Sequence, residues 1–250
     1  MQMVLLTALG VGGATVLGAF LGFAFKNTSH RFSDLMLAFA AGVMLAAAVL
    51  GLIIPSVEYG GKYGLIITVV GIFVGAIVMS LMDKLVPHLH RMVGSDIEPH
   101  KNTSLSKVLL FVTAIAIHNL PEGIAAGVSF GSDNVSEAFL IAGGIALQNI
   151  PEGMIIIAPM LAAGIKPGRT FVCALATGLV EVAGTLLGYL AVSVASFVLP
   201  FALAFAGGTM LYVVSDEMVI ESHGDGAERG ATYTLLAGFC LMLISDVLLG

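Results

Sequence analysis

Apolar residues fall in eight long runs separated by short polar breaks: residues 4–25, 35–54, 64–82, 108–130, 138–163, 171–194, 197–214 and 231–249. The runs are continuous and lack the period-two alternation of a membrane β-barrel strand. A helix rising 1.5 Å per residue needs about 20 apolar residues to cross the hydrocarbon core of a bilayer. The pattern therefore predicts an all-α integral membrane protein of eight transmembrane helices. It forms a single domain over residues 1–250, with its longest loop at residues 83–107. The first run has no charge before Lys26. It lacks the basic start of a secretory leader and is longer than a leader's apolar stretch, so it is read as a span.

Charge sharpens this picture. Charged residues are 10% of the 250, against about 25% in an average soluble domain. So little charge cannot cover a soluble core, and the apolar content is too high for a disordered chain. The net charge of −6 argues against a nucleic-acid partner. Alternate inter-span segments sort the basic residues. Lys26, Arg31, Lys84, Arg91, Lys101, Lys107, Lys166, Arg169 and Arg229 fall on one side, and only Lys62 on the other. Cytoplasmic loops carry the excess of Lys and Arg, which puts both termini outside the cytoplasm. The expected location is a cell membrane, of the bacterial inner-membrane kind. Cys173 and Cys240 lie inside spans and form no metal-binding spacing. Glycines four apart at Gly18/Gly22, Gly71/Gly75, Gly123/Gly127 and Gly184/Gly188 suit close helix packing.

The ionisable residues inside the spans are few and share one depth. Span four carries His118 and Glu122, span five Glu152 and span six Glu181. Each carboxylate lies within roughly 5 Å of its span's midpoint at the helical rise. Such groups cost about 2.5–3.5 kcal/mol each at a bilayer centre and mark functional positions. Spans four and five also share a repeat: His118-Asn119-Leu120-Pro121-Glu122-Gly123 matches Gln148-Asn149-Ile150-Pro151-Glu152-Gly153. Consecutive spans run in opposite directions, so the two copies form an inverted pair with a site expected at its centre.

His118 and Glu122 are four apart and stack on one helix face, as do Gln148 and Glu152. Asn119 and Asn149 are adjacent and reach the same cleft. Pro121 and Pro151 have no N–H for the carbonyls of Ile117 and Leu147, a defect tolerated only against protein or a watery cavity. Imidazole, carboxylate and amide donors converging there suit Zn²⁺, Fe²⁺, Mn²⁺ or Cd²⁺. Three carboxylates balance more than one divalent charge, so a two-metal site is open. Other readings stay open too: a lone buried Glu serves as a proton relay, Gln148 as interhelical glue and the asparagines as structural hydrogen-bonding groups.

With these motifs quoted, the chain resembles the ZIP (Zrt/Irt-like) metal transporters, in the form of their bacterial GufA-like branch. The resemblance covers essentially the whole chain. It implies a bundle with inverted repeats, import of Zn²⁺ and related cations into the cytoplasm, and a binuclear site between spans four, five and six. On that likeness His118, Glu122, Gln148 and Glu152 correspond to ligands of a first metal. Asn119, Glu122, Asn149, Glu152 and Glu181 correspond to those of a second. Met44 in span two matches a methionine that lines the site in some members. Some members have Asp where this chain has Asn149, which removes a charge from the second set. His88, His90 and His100 stand where some relatives carry a long His-rich tract.

The ends of a cation path also have candidates. Glu58 and Asp246 sit near the outer surface, and Asp216, Glu217, Glu221 and His223 near the cytoplasmic end of span seven. No prosthetic group is expected; the divalent cation is the transported substrate. The partners expected are metal ions and the lipid bilayer, with a homodimer left open. An enzyme is not expected. An intramembrane metalloprotease needs His-Glu-x-x-His, and a di-iron carboxylate bundle needs Glu-x-x-His; the chain has neither. A proton-coupled solute carrier explains the carboxylates but not the His/Gln repeat.

Overall fold

The computed structural model describes residues 1–25, 30–85, 103–132, 134–223 and 228–249, and all regular structure among them is helical. Helix α1 is Gln2–Ala24. Helix α2 (His30–Ala46) runs through a π-helical turn at Ala47–Ile53 into α3 (Ile54–Tyr59). Helices α4 (Gly64–Leu85), α5 (Thr103–Ser129), α6 (Val135–Ala162) and α7 (Pro167–Val194) follow. Helix α8 (Leu199–Val213) continues through a second π turn, Val214–Met218, into α9 (Val219–Ser222), and α10 is Glu228–Leu249. Seven helical stretches among the described residues are long and apolar enough to cross a membrane. Helix α5, which bears the first motif, is the eighth long helix.

Local chemistry sets the boundaries. Asn134 caps α6, its side-chain oxygen accepting from the N–H groups of Ser136 at 3.1 Å and Glu137 at 3.3 Å. Proline opens α7 at Pro167, where its missing donor falls on a group the first turn leaves unpaired, whereas Pro55 sits inside the continuous span two, just past its π turn. Helices α5 and α6 run unbroken through Pro121 and Pro151. Spans two and seven extend further than their apolar runs, to Tyr59 and Ser222. Asp216 and Glu217 therefore lie within a membrane helix, on its π turn, rather than beyond its end.

The packing reveals a larger repeat than the paired motifs. An offset of 166 residues carries Leu37-Ala38-Phe39-Ala40 onto Leu203-Ala204-Phe205-Ala206, and Met44-Leu45 onto Met210-Leu211. The same offset carries Gly12, Gly18 and Gly22 onto Gly178, Gly184 and Gly188. Contacts follow it. Helix α1 packs chiefly on α6 and α7 on α5, while α2 packs on α10 and α8 on α4. The repeat and the packing together describe one pseudo-twofold axis that exchanges spans one and two with six and seven, and span four with five. Both π turns fall in matched positions. The glycines act in matched contacts: a Cβ on Gly123 would collide with the carbonyl oxygen of Glu181, and one on Gly153 with that of Thr15. Residue 15 maps onto residue 181, so these are one contact made twice. Helices α1 and α7 meet each other across the axis at Gly12 and Gly178.

Candidate functional site

The axis gathers the polar residues that the spans bury. His118, Asn119 and Glu122 come from α5, Gln148, Asn149 and Glu152 from α6, and Glu181 from α7; all seven are buried. Glycine at each crossing lets these helices approach at backbone distance. Their side chains therefore meet across a narrow seam, with little room for intervening apolar groups.

Glu181 is the hub of the network. Its Oε1 accepts from Thr15 Oγ1 at 2.6 Å and from the Asn119 amide. Its Oε2 accepts from Asn149 Nδ2 at 2.6 Å. The same Asn149 nitrogen donates to the main-chain oxygen of Val11 at 3.2 Å. Four helices, α1, α5, α6 and α7, are thus tied through one carboxylate.

The other donors are left without protein partners. Both oxygens of Glu122, both polar atoms of the Gln148 amide, and Oδ1 of Asn119 and of Asn149 are buried with no hydrogen bond. Gln148 lies beside Glu122, and Glu152 lies within electrostatic reach of both Glu122 and His118. A buried polar group without a partner costs about 1–3 kcal/mol, and more when charged. An arrangement that presents acceptor oxygens from Glu122, Gln148, Asn119 and Asn149 at one depth is complementary to a cation.

The acids and the imidazole do not close a tight shell by themselves. Among the described residues, no group of three His, Cys, Asp or Glu side chains is placed to hold a metal ion. The cause is visible in their partners. Glu181 is drawn to Thr15 and the asparagines, and His118 Nε2 is drawn to Glu217 Oε1 at 3.0 Å on the second π turn. Glu122 and Glu152 repel one another. Any shell built here needs the amides as well.

Met44 is buried in the main apolar cluster, together with its repeat mate Met210. At one end of the bundle, Glu137 lies within electrostatic reach of Glu58 and Asp246. At the end of span seven, His223 Nδ1 contacts the Val219 carbonyl oxygen at 2.8 Å, and its Nε2 contacts Thr232 Oγ1 at 3.2 Å. Cys173 and Cys240 are free thiols. His88, His90 and His100 lie outside the described residues. One participant escaped the reading of the sequence, and another was expected only at the end of the cation path. Thr15 looks like a packing residue until the 166-residue repeat pairs it with Glu181. Glu217 becomes a partner of His118 only once the π turn carries the helix past residue 214.

Long apolar helices around buried carboxylates, amides and an imidazole, on the axis of an inverted repeat, define a multi-pass membrane transporter rather than an enzyme. The comparisons identify which one. The family model described as "ZIP Zinc transporter" matches residues 94–246. The chain is 38% identical to the zinc transporter GufA of Myxococcus xanthus, covering 98% of each protein. It is 36% identical to the zinc transporter ZIPB of Bordetella bronchiseptica, over 95% of this chain and 78% of that one. It is 35% identical to the zinc transporter ZupT of Chlorobaculum parvum, over 95% and 94%. The chain belongs to the ZIP zinc transporter family.

Proposed function

We propose that the protein carries Zn²⁺, and with it related divalent cations such as Fe²⁺, Mn²⁺ and Cd²⁺, across a bacterial inner membrane into the cytoplasm. The observation that carries this reading is the set of buried oxygens of Glu122, Gln148, Asn119 and Asn149 with no well-formed hydrogen bond, the Gln148 amide being, among the described residues, the one protein donor close to Glu122. Oxygen and imidazole donors match borderline divalent cations. Relatives named as zinc transporters over nearly the full length support zinc as the cargo.

In this reading His118, Glu122, Gln148 and Glu152 bind a first ion. Asn119, Glu122, Asn149 and Glu152 bind a second, with Glu181 joining that set when its own hydrogen bonds yield. Met44 flanks the site. The orientation rests on the sorting of basic residues, which favours both termini outside, and the inward direction is what the resemblance to the family implies. Glu58 and Asp246 then attract cations at the outer mouth, and Asp216, Glu217, Glu221 and His223 receive them on the cytoplasmic side. A proton relay uses carboxylates but gives no role to the paired amides.

The test is uptake into proteoliposomes from a panel of Zn²⁺, Cd²⁺, Fe²⁺ and Mn²⁺, for wild type and Glu152→Ala. Zinc uptake by wild type and its loss in the variant are expected. No flux of any of the four cations would sink the transport reading, and unchanged flux in the variant would sink the site. Sidedness of the inserted protein, read from protease access to the termini, checks the orientation.

A further inference from the structure

Resting on the site proposed above, we propose that Thr15 is a positioning residue for cation binding: through Glu181 it turns the amide oxygens of Asn119 and Asn149 toward the site. Thr15 lies on α1, a helix that supplies none of the proposed ligands, and is fully buried. A threonine in a helix usually returns its hydroxyl to the carbonyl four residues back. Here that carbonyl, of Val11, takes Asn149 Nδ2 at 3.2 Å. The Thr15 hydroxyl instead donates to Glu181 Oε1 at 2.6 Å.

The chemistry of the hub then fixes the amides. Both oxygens of the Glu181 carboxylate act as acceptors. Asn119 and Asn149 must therefore both present nitrogen to Glu181, and they do. Their oxygens point elsewhere and remain buried with no donor. With either amide reversed, two oxygens would face each other at Glu181 and an N–H₂ would face the cation. Three donors on one carboxylate, from Thr15, Asn119 and Asn149, hold its charge in place and keep it from swinging away.

The repeat gives an independent reason for threonine. Residue 15 is the pseudo-twofold mate of residue 181, and the two side chains touch. Residues that meet their own mates on such an axis cannot both be acids without direct repulsion. Thr15 replaces the second acid with a donor, so the mate becomes the clamp. Gly153 admits this approach, since a Cβ there would strike the Thr15 carbonyl oxygen.

The experiment compares wild type, Thr15→Val and Thr15→Ser. Valine keeps the shape and removes the hydroxyl; serine keeps the hydroxyl. The readouts are zinc-uptake kinetics in proteoliposomes, equilibrium dialysis with Zn²⁺ alone, and the absorption spectrum of bound Co²⁺. Outer-shell partners of metal ligands typically set affinity by about 10–100-fold. Thr15→Val is expected to raise KM and Kd about tenfold, change Vmax less than about twofold, and shift the Co²⁺ bands. Thr15→Ser is expected to restore all three. Wild-type Kd and Co²⁺ spectrum in Thr15→Val would overturn the inference. So would a serine variant as impaired as the valine one, which would assign the effect to packing. Zinc binding without uptake by wild type would instead overturn the transport reading, and the dialysis and Co²⁺ comparisons would still decide the role of Thr15.

Discussion

His118 Nε2 lies 3.0 Å from Oε1 of Glu217, a bond that joins span four to the π turn of span seven. It engages the ring nitrogen that a cation would also need. On the proposed site, Zn²⁺ and Glu217 compete for His118. Removing Glu217 by Glu217→Ala should free the imidazole and tighten equilibrium zinc binding by about 3–10-fold, the scale of a partly exposed ion pair of about 1 kcal/mol. Release into the cytoplasm should slow, lowering Vmax. Dialysis and uptake kinetics on the same preparation check both; an unchanged Kd would show that the pair does not compete.

Glu122 offers a trade between stability and function. Both its oxygens are buried without a hydrogen bond, a cost of about 1–3 kcal/mol. Glu122→Met replaces the unpartnered carboxyl with an apolar side chain of similar size. The thermal midpoint in detergent without zinc should rise by about 3–6 °C, while zinc uptake is lost. A lower midpoint would mean that Glu122 has a stabilising partner.

Asn149→Asp should act in the opposite sense. The amide donates both to Val11 and to Glu181. Aspartate loses both bonds and sets a second carboxylate against Glu181. The zinc-free protein should lose about 2–4 kcal/mol, and added zinc should recover most of it, because the new charge favours a second ion. Thermal melts with and without Zn²⁺, together with metal counting on purified protein, measure the two halves of this outcome.

The glycine crossings give a purely steric prediction. Gly153→Ala places a methyl against the Thr15 carbonyl oxygen, whereas Gly143→Ala on the same helix meets nothing within 4 Å. The first should destabilise by about 1–3 kcal/mol and lower the yield of monodisperse protein. The second should leave both unchanged. Size-exclusion profiles and thermal midpoints compare the pair directly.

Much of this was legible from the chain, and for simple reasons. Membrane helices must be long and apolar, so the runs mark them directly. Buried acids are costly, so Glu122, Glu152 and Glu181 stand out. Less visible was everything that depends on neighbours. Asp216 and Glu217 end the apolar run at residue 214, yet the helix continues, because its π turn keeps them on a membrane segment and one of them reaches His118. Thr15 carries no charge and no motif. Its role follows from contact with Glu181 and from a repeat that pairs it with that residue. The orientation of the Asn119 and Asn149 amides depends on where Glu181 points, which residue identity alone does not specify.

The inverted repeat has one last consequence. A strictly twofold path would look the same to an ion arriving from either face of the membrane. Several mate pairs here are unequal, among them Glu181 against Thr15, Glu217 against Gly51, Asp216 against Leu50, and His118 against Gln148. In each pair one member can carry charge and the other is neutral. Glu217 and Gly51 sit on the two matched π turns. On the transport reading, one half of the repeat offers an acid at its π turn where the other offers a glycine. Differences at a few matched positions then polarise an otherwise symmetric scaffold.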